Sequence, residues 1–199
     1  VFLNQYFEEE DSAEEPDGGI PMPLDTLNTD DKFQKVILFD NGSWMFYDIP
    51  KLTRDTKLSG VYLHETSSMQ EPLIRGFDDV FQMPHSRHTE LHREDILANP
   101  ELTLIAESPD CGVSMVMARN GREFYITGHL EYAPNTLDNE YKRDKGIRDD
   151  VDMPKNYYLD DDPEKGPVVT WRAHANLLYS NWINYYVYQE TPYDINKIE

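Results

Sequence analysis

Residues 113–132 read VSMVMARNGREFYITGHLEY. Two apolar runs, Val113–Ala118 and Glu123–Thr127, flank the tetrad Arg119-Asn120-Gly121-Arg122. Asn-Gly tolerates the positive φ that both central positions of a type I′ turn demand, so the stretch predicts a β-hairpin. Its second strand runs directly into Gly128-His129, with Glu131 two residues on. A carboxylate at that spacing can accept from one imidazole nitrogen and fix the ring's tautomer, leaving the other nitrogen as a general base. Gly128 permits close backbone approach just before the histidine. On spacing alone a surface or satisfied His–Glu pair is the commoner arrangement, so the catalytic reading needs support from the rest of the chain.

Outward from the hairpin, Leu102–Ala106 reads as another strand, and Val36–Phe39, ending at Asp40-Asn41-Gly42, as a buried strand followed by a turn. Trp44 to Tyr47 fits helix or strand and is stopped by Pro50. Asn135 or Thr136 can cap a helix that carries Leu137 and Tyr141 on one face and stops at Gly146. Residues 149–167 are a Pro- and Asp-rich loop. From His174 to Gln189 a final helix carries Leu177, Leu178, Trp182, Ile183, Tyr185 and Tyr186, enough large groups to predict burial on more than one side. Strands alternating with helices predict an α/β fold.

Composition narrows the function classes. The 199 residues carry a net charge of −20. Ten acids lie in residues 1–31, where no Lys or Arg occurs. That segment is expected to be an acidic, disordered tail or linker, with an acidic interaction arm as the alternative, and one α/β domain over 32–199. Strong negative charge repels phosphate backbones and anionic lipid surfaces, so neither nucleic acid nor membrane is an expected partner. Cys111 is the single cysteine, which rules out an intrachain disulfide and fits a cytoplasmic location. The chain opens at Val1 rather than Met, so an upstream portion is expected.

Further blocks give the chain a wider pattern. Lys57-Leu58-Ser59-Gly60-Val61-Tyr62 precedes Arg75-Gly76-Phe77-Asp78-Asp79 and Pro84-His85-Ser86-Arg87. Later come Thr127–Tyr132, Glu140-Tyr141-Lys142-Arg143-Asp144, Asn156-Tyr157-Tyr158, and Trp171–Leu178 followed by Asn181–Gln189. In order and spacing these resemble the C-terminal half of the homoserine O-succinyltransferase/O-acetyltransferase family, over about residues 48–195. The resemblance implies a sheet flanked by helices, like the class I glutamine amidotransferase (flavodoxin-like) fold, here without its N-terminal part. It implies a homoserine O-acyltransferase of methionine biosynthesis, working by ping-pong transfer through a Cys–His–Glu triad. His129 falls on the family's base, Glu131 on its orienting acid, and Arg143 on the arginine that grips the homoserine carboxylate. Lys57 and Ser86 fall on substrate-site positions, with Arg87 beside Ser86. The partners implied are homoserine and an acyl-CoA, acetyl or succinyl, with no bound cofactor, and a homodimer is favoured.

The family's nucleophilic cysteine falls on Val36, and no Cys-Trp-Gly-type turn surrounds it. Cys111, in Pro109-Asp110-Cys111-Gly112, is a poor substitute because neighbouring acids raise a thiol's pKa. Ser43 is a weak candidate without an elbow or oxyanion donors. The alternative reading is therefore a non-catalytic fragment or homologue that binds an amino acid or a protomer. His85, His88 and His92 with Glu90, Glu94 and Asp95 raise a metal hydrolase as a third reading. They lack a supporting cysteine, and solvated polar residues are the simpler account, so no metal site is assigned. Asp160–Asp162 lacks the spacing of a Ca²⁺ loop.

Overall fold

The computed structural model describes residues 47, 49–67 and 70–189, and the backbone of 36–39. The acidic segment 1–31 and Ser43 lie outside the described residues. The predicted hairpin forms the middle of a six-stranded sheet of order β1-β6-β5-β4-β2-β3. Its strands are β1 (Val36–Phe39), β2 (Leu52–Thr66), β3 (Val80–Glu90), β4 (Leu102–Ser108), β5 (Gly112–Ala118) and β6 (Glu123–Ile126). All neighbours pair antiparallel except β1, which runs parallel to β6 with Phe39 opposite Ile126.

The apolar run of the hairpin is explained by burial on both faces of the sheet. Met115, Phe124 and Ile126 join one core cluster with Phe81, Met83, Leu137, Trp171 and Leu178. Val113, Val116, Ala118 and Tyr125 join a second with Leu91, Ile96 and Leu104. Helix α1 (Arg93–Ala98) contributes Ile96 to the second cluster. Helices α2 (Thr136–Ile147) and α3 (Arg172–Asn181) contribute Leu137, Ala175 and Leu178 to the first. The protein is thus α/β, with helices on both faces of a mixed sheet. Among the described residues no helix is long and apolar enough to cross a membrane.

Several local expectations are corrected. The turn between β5 and β6 has Asn120 (φ 53°) and Gly121 (φ 84°) in the left-handed region as predicted, but Arg119 (φ 50°) joins them and pairing stops at Ala118–Glu123. Neither Asn135 nor Thr136 caps α2 through its side chain: Asn135 occupies the N-cap with no side-chain hydrogen bond. The helix continues one residue past Gly146, to Ile147. The terminal helix begins at Arg172 and changes to a π-helical stretch over Trp182–Tyr188. That change of pitch rotates the aromatic positions, so Tyr186 is buried while Ile183 is 37% exposed.

Gly121 is positioned by that terminal stretch. A Cβ there would lie 2.6 Å from Tyr186 Cε1, on a residue whose φ already disfavours a side chain. Gly121→Ala is expected to lower stability by about 2 kcal/mol or more. Gly146→Ala, in open space inside α2, is expected to raise it by about 0.5–1 kcal/mol. Urea unfolding of the two variants checks both signs.

Candidate active site

The chain leaving β6 is held down before it reaches the histidine. Thr127 donates its N–H to the Ser114 carbonyl and its hydroxyl to the Val113 carbonyl, both at 2.9 Å. His129 N–H then donates to the Pro84 carbonyl of β3 at 2.8 Å. Between them Gly128 packs so closely that a Cβ would sit 2.7 Å from His85 Nε2 and 2.8 Å from Met83 Cε. The expected role of Gly128, close approach, is what the packing requires.

His129 Nδ1 lies 2.8 Å from Glu131 Oε1. The His129 ring stacks on Tyr132, centroids 4.4 Å apart and planes within 8°. A carboxylate can only accept, so the Glu131 contact holds the His129 proton on Nδ1 and fixes the ring's tautomer. Tyr132 is itself fixed, since Trp171 Nε1 donates to its carbonyl at 3.1 Å and its hydroxyl donates to Glu140 at 3.2 Å. Burial, reinforced by Glu140, pushes the Tyr132 hydroxyl well above the ordinary phenol range, so it remains a neutral donor.

Tyr132 also lines an open cavity of about 520 Å³ shared by Lys57, Ser86, His88, Glu140, Arg143, Asp144, Ile147 and Arg148. The three substrate positions expected from the sequence, Lys57, Ser86 and Arg143, come together here from β2, β3 and α2. Lys57 Nζ lies 3.0 Å from Asp144 and 3.4 Å from Glu140. Ser86 donates to Glu140, and Arg143 pairs with Asp144 at 2.9 Å. Burial would raise the Asp144 pKa, but hydrogen bonds from Lys57 and Arg143 outweigh it and hold the carboxyl below its usual range. Glu140, Asp144 and Tyr132, which organise this cavity, stand in the sequence blocks quoted above but were given no role there. The spacing of Glu140, Arg143 and Asp144 at i, i+3 and i+4 was the available signal, because it puts all three on one face of a helix.

Arg87, expected beside Ser86, points the other way along the strand. It is 4% exposed and donates to the carbonyls of Thr89 and Cys111. Cys111 is 2% exposed, and its Sγ lies 3.4 Å from His64 Nε2 and 3.6 Å from His85 Nε2. Burial pushes this thiol up, consistent with the expectation that it is not the nucleophile. The His85, His88, His92 grouping is dispersed, with His85 fully buried and His88 and His92 exposed.

The comparisons place the chain in a family. The model of the homoserine O-succinyltransferase family matches residues 40–193. This chain belongs to that family. It is 60% identical over 158 residues to a homoserine O-acetyltransferase of Bacteroides thetaiotaomicron, covering 79% of this chain and 52% of that protein. It is 54% identical over 153 residues to a homoserine O-acetyltransferase of Agathobacter rectalis, covering 77% and 49%. The chain therefore spans about half the length of the relatives it matches. Among solved structures, it is similar to a glutamine amidotransferase from Thermotoga maritima, with TM-score 0.48, 14% identity, and 70% and 55% of the two chains covered. A glutamine amidotransferase from Methylobacillus flagellatus gives TM-score 0.47 and 10% identity over 77% and 60%.

The buried histidines give this family member a pH signature. Burial holds His64 down to about 4 and His85 well below its ordinary value. Both pKa values are depressed on folding, so between pH 6.5 and about 4 the unfolded chain binds more protons than the folded one. Stability is therefore full above pH 6.5 and falls on acidification. From pH 7 to pH 5, His64 alone is expected to remove about 2 kcal/mol, with His85 adding in the same direction. Denaturant melts in chelator-treated buffer at the two pH values check it.

Proposed function

We propose that this chain carries the homoserine-binding and general-base machinery of a homoserine O-acyltransferase. The observation that supports it best is the 2.8 Å His129–Glu131 pair, joined through Tyr132 to a cavity lined by Lys57, Ser86 and Arg143. Homoserine is an α-amino acid with a γ-hydroxyl. In this reading the Arg143 guanidinium forms a planar fork with the substrate carboxylate. Glu140 and Asp144 offer acceptors to the ammonium, a contact in which Lys57 yields part of its hold. In the ping-pong scheme that the resemblance implies, the acyl group is first carried from CoA as a thioester on the family's cysteine, which position 36 does not supply. His129 Nε2 then takes the γ-hydroxyl proton as the oxygen attacks that thioester, Glu131 stabilises the imidazolium that results, and the leaving cysteine thiolate recovers the proton from His129.

Acetyl-CoA is the proposed donor, on the names of the relatives. A cytoplasmic homodimer belongs to the same reading and rests on family likeness alone. Position 36, where the family resemblance puts the nucleophilic cysteine, is valine. That observation favours a second reading, a non-catalytic homologue or fragment that binds homoserine or a protomer.

Two measurements separate these. Calorimetry is expected to detect homoserine binding that weakens about tenfold or more in Arg143→Ala, the loss of a charge-assisted pair. Acyl transfer from acetyl-CoA is expected to fall by about 10²–10⁴-fold in His129→Ala. No product from a folded sample with either acetyl- or succinyl-CoA would leave only the binding reading, and no homoserine binding would remove the first reading and leave the second only as protomer binding.

A further inference from the structure

Behind the Gly128 loop lies a cluster that the acyl-transfer reading does not use. His64 on β2, His85 on β3 and Cys111 in the turn between β4 and β5 are 0%, 0% and 2% exposed. The two Nε2 atoms are 3.0 Å apart, and Cys111 Sγ is 3.4 and 3.6 Å from them. We propose that His64, His85 and Cys111 form a buried three-coordinate site for a soft monovalent d¹⁰ metal ion, copper(I) in chemical class.

Geometry supplies the first argument. A triangle with those three edges has its common centre about 1.9 Å from each donor, close to the ~2.0–2.3 Å of metal–nitrogen and metal–thiolate bonds. An outward shift of a few tenths of an ångström completes the fit. The imidazole planes lie within 12° of each other, and the two rings present the same nitrogen, Nε2, to each other and to Cys111 Sγ.

Orientation supplies the second. The Tyr62 carbonyl can only accept, so at 2.9 Å it fixes the His64 proton on Nδ1 and leaves Nε2 as a lone-pair donor. Such an outer hydrogen bond is how a ligating imidazole is usually aimed. Burial keeps both imidazoles neutral, as ligation requires.

Charge and coordination number choose the ion. His64, His85 and Cys111 are the one such donor group among the described residues, and all three are buried, so an ion content with three ligands is favoured over one that seeks a fourth. Arg87 lies against it, with Nε 3.3 Å from His85 Nδ1 and Nη2 on the Cys111 carbonyl. A thiolate and a monovalent ion sum to zero beside that guanidinium. A divalent ion would leave a buried positive charge next to another. Thiolate ligation also selects soft ions.

Binding balances as follows. Without metal, Arg87 Nε donates to His85 Nδ1, so the His85 proton sits on Nε2 beside His64, and the ring is also hydrogen-bonded to the Thr127 backbone. On binding, the Cys111 S–H bond breaks, its proton leaves to solvent, and a metal–sulfur bond forms. The His85 proton transfers from Nε2 to Nδ1 and displaces the long Arg87 Nε contact, while Arg87 stays anchored on the Thr89 and Cys111 carbonyls. No oxidation state changes. Access is through the turn 109–111, where Pro109 and Asp110 are exposed.

The test titrates copper(I) anaerobically into the purified chain against a chromophoric copper(I) chelator, with metal analysis of the recovered protein. One equivalent is expected, with a thiolate-to-copper ultraviolet band and a rise in melting temperature of several degrees as the ion ties β2, β3 and the 109–111 turn together. Cys111→Ser, nearly isosteric, should fold by circular dichroism and lose the band and at least 100-fold in affinity. His64→Gln should lose the same affinity. No stoichiometric copper in the wild-type chain overturns the proposal. So does copper retained by Cys111→Ser, which marks exposed histidines as the site, and so does zinc(II) preferred over copper(I) at equal concentration. None of these readouts depends on acyl transfer, so the failure of either proposal is visible without the other.

Discussion

The arrangement of the site depends on one close contact, the backbone of Gly128 lying on the edge of the His85 imidazole. A side chain at 128 would have to occupy the space of His85 Nε2 and Met83 Cε. Because it is absent, the chain leaving β6 can cross to β3, where His129 N–H meets the Pro84 carbonyl. That crossing sets where the His129 ring emerges, how it meets Glu131, and where Tyr132 turns to stack on it. Each later feature of the cavity is referred to this crossing, since Tyr132 carries it to Glu140 and through Glu140 to Lys57 and Ser86.

Charge in the cavity is distributed so that no group stands alone. Two carboxylates on α2 face Lys57 from β2 and Arg143 from the same helix. A zwitterionic amino acid can replace such a pattern ion for ion, its carboxylate meeting the cations and its ammonium the anions. The electrostatic cost of binding is then the difference between two sets of paired charges rather than the desolvation of bare ones. In the proposed reading, this arrangement suits the whole amino-acid head group better than a simple anion or cation.

The hairpin and the His–Glu pair were legible in the sequence because both are local. Asn120-Gly121 states its own φ requirement, and the apolar run 113–118 states burial on both faces. The long pair β2–β3 was not read as strands, because Leu52–Thr66 mixes exposed charges with buried positions and shifts register between Thr53 and Leu58, which erases a clean period of two. The π-helical turn at Trp182–Tyr188 was hidden for a related reason. Aromatic residues all round a helix predict burial but not the pitch that selects Tyr186 over Ile183. The cluster of His64, His85 and Cys111 could not be read at all. Its members are 21 and 26 residues apart along the chain, and strand pairing alone brings them together. His85 was considered with His88 and His92, its neighbours in sequence, which the fold turns to solvent.

The buried histidines and the proposed base share more than a boundary. His85 and His129 are near enough for each to feel the other's charge, and His129 is among the influences that hold His85 down. The larger influence is burial, which keeps His85 neutral whatever state His129 is in. A base that accepts a proton during its reaction works best when the imidazole directly beneath it stays neutral, since a second imidazolium there would add to the Arg87 charge and penalise it directly. Desolvating His85 removes that penalty, at the expense of stability toward acid. The same desolvation leaves a neutral imidazole with an available nitrogen in the core. A fold that keeps a histidine uncharged under its proposed base has, for that reason, also prepared a ligand.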